Sequence, residues 1–401
     1  MFDDYDFKGT STRISLKFVQ IKDEPMYPWE IASFLNKLNT AYYKFELLNS
    51  ICSALAHGIL PEHIFIFDHS LPLYKQYSEM NLLSEPNAAK TFYPIGMPIP
   101  LIPSKYVYDL NCFYQAFQRI NSTLKSNHVQ PFRRTTVASA FEVLQSDGLE
   151  AAEQHIIELA KGRAALSYEN AMKRGEKRKE VDPAAFENSL EKYRKSKATL
   201  FSDLDIITNL SDEEKEAILS PEHKSDRRIK KRLSEFFTTF DATTRPLVCA
   251  RVGNNYIRVL GRSLVNKREQ TGLELKEAKR NSPLGAFIEG GLALYQTINQ
   301  ERRAKELHEL DLKRKEEEIK LVQAQIRGQE LINLETEIKI SESLNDAKSK
   351  TDLSAIQNIP DSPMRRQIAK AYSIEHANAG RVITEQGMYL DRGSVTISTN
   401  A

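Results

Sequence analysis

Residues 283–344 read PLGAFIEGGLALYQTINQERRAKELHELDLKRKEEEIKLVQAQIRGQELINLETEIKISESL, and the expected architecture turns on this stretch. Ser282 suits a helix cap, and Pro283 suits the first helical position, where its missing N–H costs nothing. Ile288, Leu292, Tyr295 and Ile298 then recur at spacings of four and three, which predicts one apolar face. Leu312, Ile319, Val322 and Ile326 continue it, and Leu331, Leu334 and Ile338 follow after a phase change near Gly328. The spacing therefore predicts a single long helix. Beyond residue 301 the apolar seam is narrow and flanked by dense mixed charge, and another helix buries such a seam best. A helix on the order of 90 Å long is not held by its own hydrogen bonds alone. Leu312, Ile319, Val322, Ile326, Leu331, Leu334 and Ile338 are accordingly the candidate oligomerisation residues.

Upstream, TRISLKFVQI over residues 12–21 alternates apolar and polar side chains, as a half-buried strand does. Pro28 opens a helix whose stripe runs through Ile31, Leu35, Leu38, Tyr42 and Phe45 and ends at Gly58. The short apolar run Ile64–Phe67 reads as a central strand. Five prolines in residues 86–103 predict an apolar loop rather than regular structure. Helices are expected over 104–125, 136–147 and 149–172, the last two hinged at Gly148, and another starts at Asp182 and Pro183. Ser211 and Glu214 fit a capping box. Residues 247–260 predict a hairpin turning at Gly253-Asn254-Asn255, and a helix is expected over 264–280. A short helix from Pro363 to about Ala377 should stop at Asn378 and Gly380, ahead of a terminal hairpin turning at Asp391-Arg392-Gly393 or an extended tail.

The fold class these readings define is α+β: a predominantly helical globular body with a small mixed sheet, a long C-terminal helix or coiled coil, and a short terminal hairpin or tail. The expected domains are a body over 11–280, with a division near 173–183, the long helix over 283–344, and the short helix and hairpin or tail over 361–401.

With 401 residues, 41% of them apolar, the chain can bury one large core or two modest ones. A net charge of +2 means that any anionic partner must be met by a local patch. Two patches qualify as nucleic-acid candidates: Lys173, Arg174, Lys177, Arg178 and Lys179, and Arg227, Arg228, Lys230, Lys231 and Arg232. Three scattered cysteines, an acidic N-terminus and the lack of a long apolar run point to a reducing, cytoplasmic setting with no transmembrane segment.

Chemistry-bearing motifs are sparse. The sequence holds no phosphate-binding loop and no zinc spacing, so neither a cofactor nor a metal is expected. Asp68 and His69, just past a buried strand, are the candidate catalytic pair, because a carboxylate can orient an imidazole as a base. Three functional classes follow. The first is a homo-oligomeric or partner-binding scaffold or regulator acting through the long helix. The others are a nucleic-acid-associated protein using 173–179 and 224–233, and an enzyme at Asp68 and His69.

Overall fold

The computed structural model describes residues 12–20, 27–71, 83–175, 180–220, 227–252, 256–261, 274–279, 285–290, 359, 362–385, 388–390 and 396–399. The chain divides into two compact units. One comprises Met1–His57, Arg268–Asp361 and Arg365–Ala401; the other comprises Gly58–Lys267 with Ser362–Met364.

The first unit is built on β1 (Thr12–Gln20), α1 (Pro28–Ala56) and a sheet drawn mostly from the far end of the chain. Its later elements are β7 (Glu274–Lys279), β8 (Gly285–Gly290), α10 (Pro363–Glu385), β9 (Met388–Leu390) and β10 (Thr396–Thr399). β8 lies antiparallel to β1 on one side, with Ile14 opposite Gly290 and Val19 opposite Gly285, and β7 extends the sheet beyond it. β9 and β10 both pair with β1, through Phe18↔Leu390 and Thr12↔Thr399. α1 buries Phe34, Leu38, Leu47, Leu48 and Ile51, and Phe18 of β1 meets Phe34 edge to face at 5.7 Å. Phe45 and Tyr372 of α10 make a similar contact at 5.2 Å.

The second unit holds a large apolar core, a smaller cluster of Ile207, Ile229 and Leu233, and a sheet of order β3-β6-β5-β2-β4. Its strands are β2 (Ile64–Phe67), β3 (Leu83–Ser84), β4 (Pro98–Pro100), β5 (Val248–Val252) and β6 (Tyr256–Val259). All four residues of β2 are buried, and it pairs on both sides, with β4 and β5. The helices are α2 (Glu85–Phe92), α3 (Lys105–Ser126), α4 (Arg134–Asp147), α5 (Leu149–Lys173), α6 (Ala184–Ser189), α7 (Glu191–Thr208), α8 (Asp212–Leu219) and α9 (Arg227–Ala242). α3, α4 and α5 pack on one another, and α4 also packs on α2. Gly148, at φ 88°, separates α4 from α5 in a backbone region that favours glycine. The capping box at α8 is present: Ser211 N–H donates to Glu214 Oε2 at 2.8 Å, and Glu214 N–H to Ser211 Oγ at 3.2 Å.

The α+β class with helix predominating holds, and the long helix near the C-terminus is α10, which falls where the shorter helix was expected. Several local expectations need correction. The strands form two sheets rather than one, and each described pairing is antiparallel. The helix expected from Pro283 is a strand over Gly285–Gly290, because two ladders, to β1 and β7, satisfy its backbone. Its glycines would each cost about 1 kcal/mol inside a helix, a penalty that the strand does not incur in that form. Glu274–Lys279, expected as helix, is likewise a strand, held by pairing with β8.

α10 runs through Asn378 and Gly380 to Glu385. Among the described residues the two halves of the expected terminal hairpin, β9 and β10, each pair with β1 and not with each other. The Pro-rich segment is partly regular, with Pro86 in the first turn of α2. Pro98 and Pro100 lie on β4, an edge strand, where a missing N–H is tolerated. The seam residues Leu312, Ile319, Val322, Ile326, Leu331, Leu334 and Ile338 lie outside the described residues.

Candidate functional site

The end of β2 brings together what the sequence separates. Phe67 N–H donates to Leu247 O at 3.1 Å and Asp68 N–H to Met97 O at 3.0 Å, so the backbone is anchored at Asp68 and at the residue before it. The Asp68 carboxylate faces the loop ahead of β4. Its Oδ1 accepts from Met97 N–H at 2.8 Å and from His69 Nδ1 at 2.6 Å. A carboxylate only accepts, so Nδ1 carries the proton and Nε2 is left as the basic ring nitrogen. The imidazole side chain is 71% exposed and the Asp68 side chain 33%. Gly96 makes this approach possible: a Cβ there would overlap Asp68 Oδ1 and stand 2.9 Å from His69 Nδ1. Beside the pair, the Ser70 and Thr244 hydroxyls are 3.1 Å apart.

This arrangement presents a carboxylate-oriented imidazole to solvent, which can accept or deliver a proton. Cysteine chemistry is poorly placed by contrast. Cys52, Cys112 and Cys249 are buried as free thiols. Burial pushes Cys52 up to about 11 and Cys112 up to about 12, and lifts Cys249 well above the usual thiol range. Among the described residues, no three His, Cys, Asp or Glu side chains gather as a metal cage.

The basic clusters divide. Lys173 and Arg174 are exposed at the end of α5, while Lys177, Arg178 and Lys179 lie outside the described residues. On α9, Arg227 and Lys231 are exposed. Lys230 Nζ donates to Ser220 O at 2.6 Å. Arg228 and Arg232 both reach Asp203 of α7, Nε to Oδ1 at 2.7 Å and Nε to Oδ2 at 3.3 Å. Asp203 is closed from water, and Arg232 also meets Glu235 at 3.2 Å. Part of what looks like a phosphate-binding patch in the sequence is thus countercharge for one hidden aspartate.

A separate polar cleft of about 560 Å³ opens beside α3, between Met97 and Ser189. Sequence reasoning missed it, since only the packing of α6 on α3 and the path of the loop before β4 create it. Comparison with known protein families, with curated proteins and with solved structures found no match.

Proposed function

We propose that this chain works by binding a protein partner, either a second copy or another protein, through the segment that follows β8. The supporting observation is a tether. β8 pairs with one side of β1, while β9 and β10 pair with it as well, after α10. Residues 291–358, which carry the seam from Leu312 to Ile338, are therefore joined at both ends to elements of the unit built on β1. An insert anchored this way has less freedom to lose on docking than a free tail. Its narrow apolar spacing suits a helical mate.

Light scattering on the full chain and on a 301–344 deletion, with cross-linking to capture partners, is the test. Association or capture that the deletion abolishes is expected. A chain that stays monomeric at high concentration, and captures nothing that the deletion loses, overturns the reading. We place the protein in the cytosol on the strength of its three free, buried cysteines. Among the described residues no helix is long and apolar enough to cross a membrane. Nucleic-acid contact is the weaker alternative, because Arg228 and Arg232 already share Asp203.

A second reading has its own support: proton-transfer catalysis at His69, favoured by the Asp68 contact and the exposed ring. A hydrolytic substrate screen comparing the parent with Asp68→Asn and His69→Ala tests it. Turnover lost in His69→Ala is expected, and turnover equal in all three proteins removes this reading.

A further inference from the structure

We infer that the cleft beside α3 is a binding site for a small organic molecule bearing a carboxylate or phosphate group, with Arg119 as its anchor. Gln115, Gln118, Arg119 and Ser122 recur at spacings of three and four, so they share one face of α3, while Phe113, Tyr114, Phe117 and Ile120 are buried in the core. Met97, Thr123 and Ser189 complete the lining. No carboxylate lines the cleft. Glu187, close by in sequence to Ser189, is already paired with Arg194 at 2.9 Å and Lys161 at 3.8 Å. Among the described residues, no side chain pairs with the Arg119 guanidinium. The cleft therefore carries a net positive charge, and its planar fork of donors matches a carboxylate or phosphate in two-point contact.

The remaining polar groups narrow the ligand further. The Ser122 hydroxyl donates to Gln118 O at 3.0 Å, and the Ser189 hydroxyl donates to Phe186 O at 2.7 Å. Their protons are spent within the fold, so they offer only acceptors. Gln118 also lines the space and can bring its carboxamide to a ligand. Gln115 is held by a relay: its Nε2 donates to Asn111 Oδ1 at 2.6 Å, and Asn111 Nδ2 donates to Pro98 O at 2.9 Å. One amide N–H and the carbonyl of Gln115 remain for a ligand. Met97 supplies an apolar wall. A volume of about 560 Å³ is within the usual range for metabolite-sized ligands and too large for a bare ion to fill. The fitting ligand has an anionic head for Arg119, a carbonyl or hydroxyl for the glutamines, and an apolar portion against Met97.

The test uses the full chain and two probe series, phosphates (inorganic phosphate and phenyl phosphate) and carboxylates (acetate and benzoate), each followed by calorimetric titration. Saturable binding of the phenyl member of one series, tighter than its small counterpart, is expected, and the series that binds identifies the head group. Arg119→Gln should weaken that binding at least tenfold and Gln118→Ala severalfold. Lys192→Gln, an exposed charge change on α7, should leave it unaltered. Melting temperatures establish that each variant is folded. The inference is overturned if neither series saturates, or if folded Arg119→Gln binds like the parent.

Discussion

Each unit hides a charge in a different way. In the unit built on β1, Lys44 of α1 faces Glu375 of α10 at 3.4 Å, and both side chains are almost closed from water, at 6% and 3% exposure. In the other unit Asp203 is fully enclosed, but its partners are not: Arg228 is half exposed and Arg232 about one-fifth. One cation and one anion have each given up hydration in the first case. In the second, a single anion has done so, and two guanidiniums reach it while still touching solvent. Dehydrating an ion costs several kcal/mol, and attraction between the partners offsets it only with good geometry. The Lys44–Glu375 pair is therefore the costlier device, and it fixes how α1 meets α10. The Asp203 cluster is cheaper and tolerates adjustment.

The sharpest way to break this contrast is Glu375→Ala, which takes a buried carboxylate away from the Lys44 ammonium. A loss of about 3–5 kcal/mol is expected from denaturant unfolding. Replacing both partners together, as Lys44→Met with Glu375→Leu, should recover most of that loss, since no buried charge is left alone. Asp203→Ala should cost less, about 1–3 kcal/mol, because Arg228 and Arg232 can turn to water. Equal losses in Glu375→Ala and Asp203→Ala would erase the distinction.

A smaller effect belongs to Glu46 on α1. Burial raises its carboxyl above the usual range, against hydrogen bonds with Asn49 and Tyr42. A raised carboxyl contributes stability below its unfolded pKa and loses it as pH rises through the folded value. Glu46→Gln should accordingly be more stable than the parent at pH 7, with the gap closing toward pH 4. The smallest effect marks the solvent limit of the series: Lys105→Ala removes an exposed pair with Asp109 at 2.5 Å and should shift stability by less than about 0.5 kcal/mol.

The second unit was the more legible. Ile64–Phe67 announced a buried strand, Gly148 divided two helices, and Ser211 with Glu214 marked a helix start, because each signal is local. The first unit was hidden by strand pairing, most of it between β1 and partners far along the chain. ELKEAK, residues 274–279, is composed largely of good helix formers, and only the neighbouring β8 makes it a strand. Asn378 and Gly380 are weak stops that tertiary packing overrides, as the buried Tyr372, Ala379 and Val382 of α10 indicate.

The site divides the same way. Asp68 and His69 were visible at the end of their strand. Gly96, whose missing side chain admits them, became meaningful only once β4 lay beside β2. The Arg119 cleft has no sequence signature, since its walls come from α3, α6 and a loop.

The position of β1 imposes an order of assembly during translation. Its described sheet partners begin at Gly285 and extend to Thr399, so the strand emerges long before anything exists for it to pair with. At roughly 5–20 residues per second, it waits on the order of tens of seconds. Gly58–Lys267 is synthesised before Gly285 emerges and is free to begin folding first. The open edges of β1 are thus exposed to neighbouring nascent chains during that interval, and a ribosome-stalled fragment ending near residue 270 should bind folding helpers through its first 20 residues.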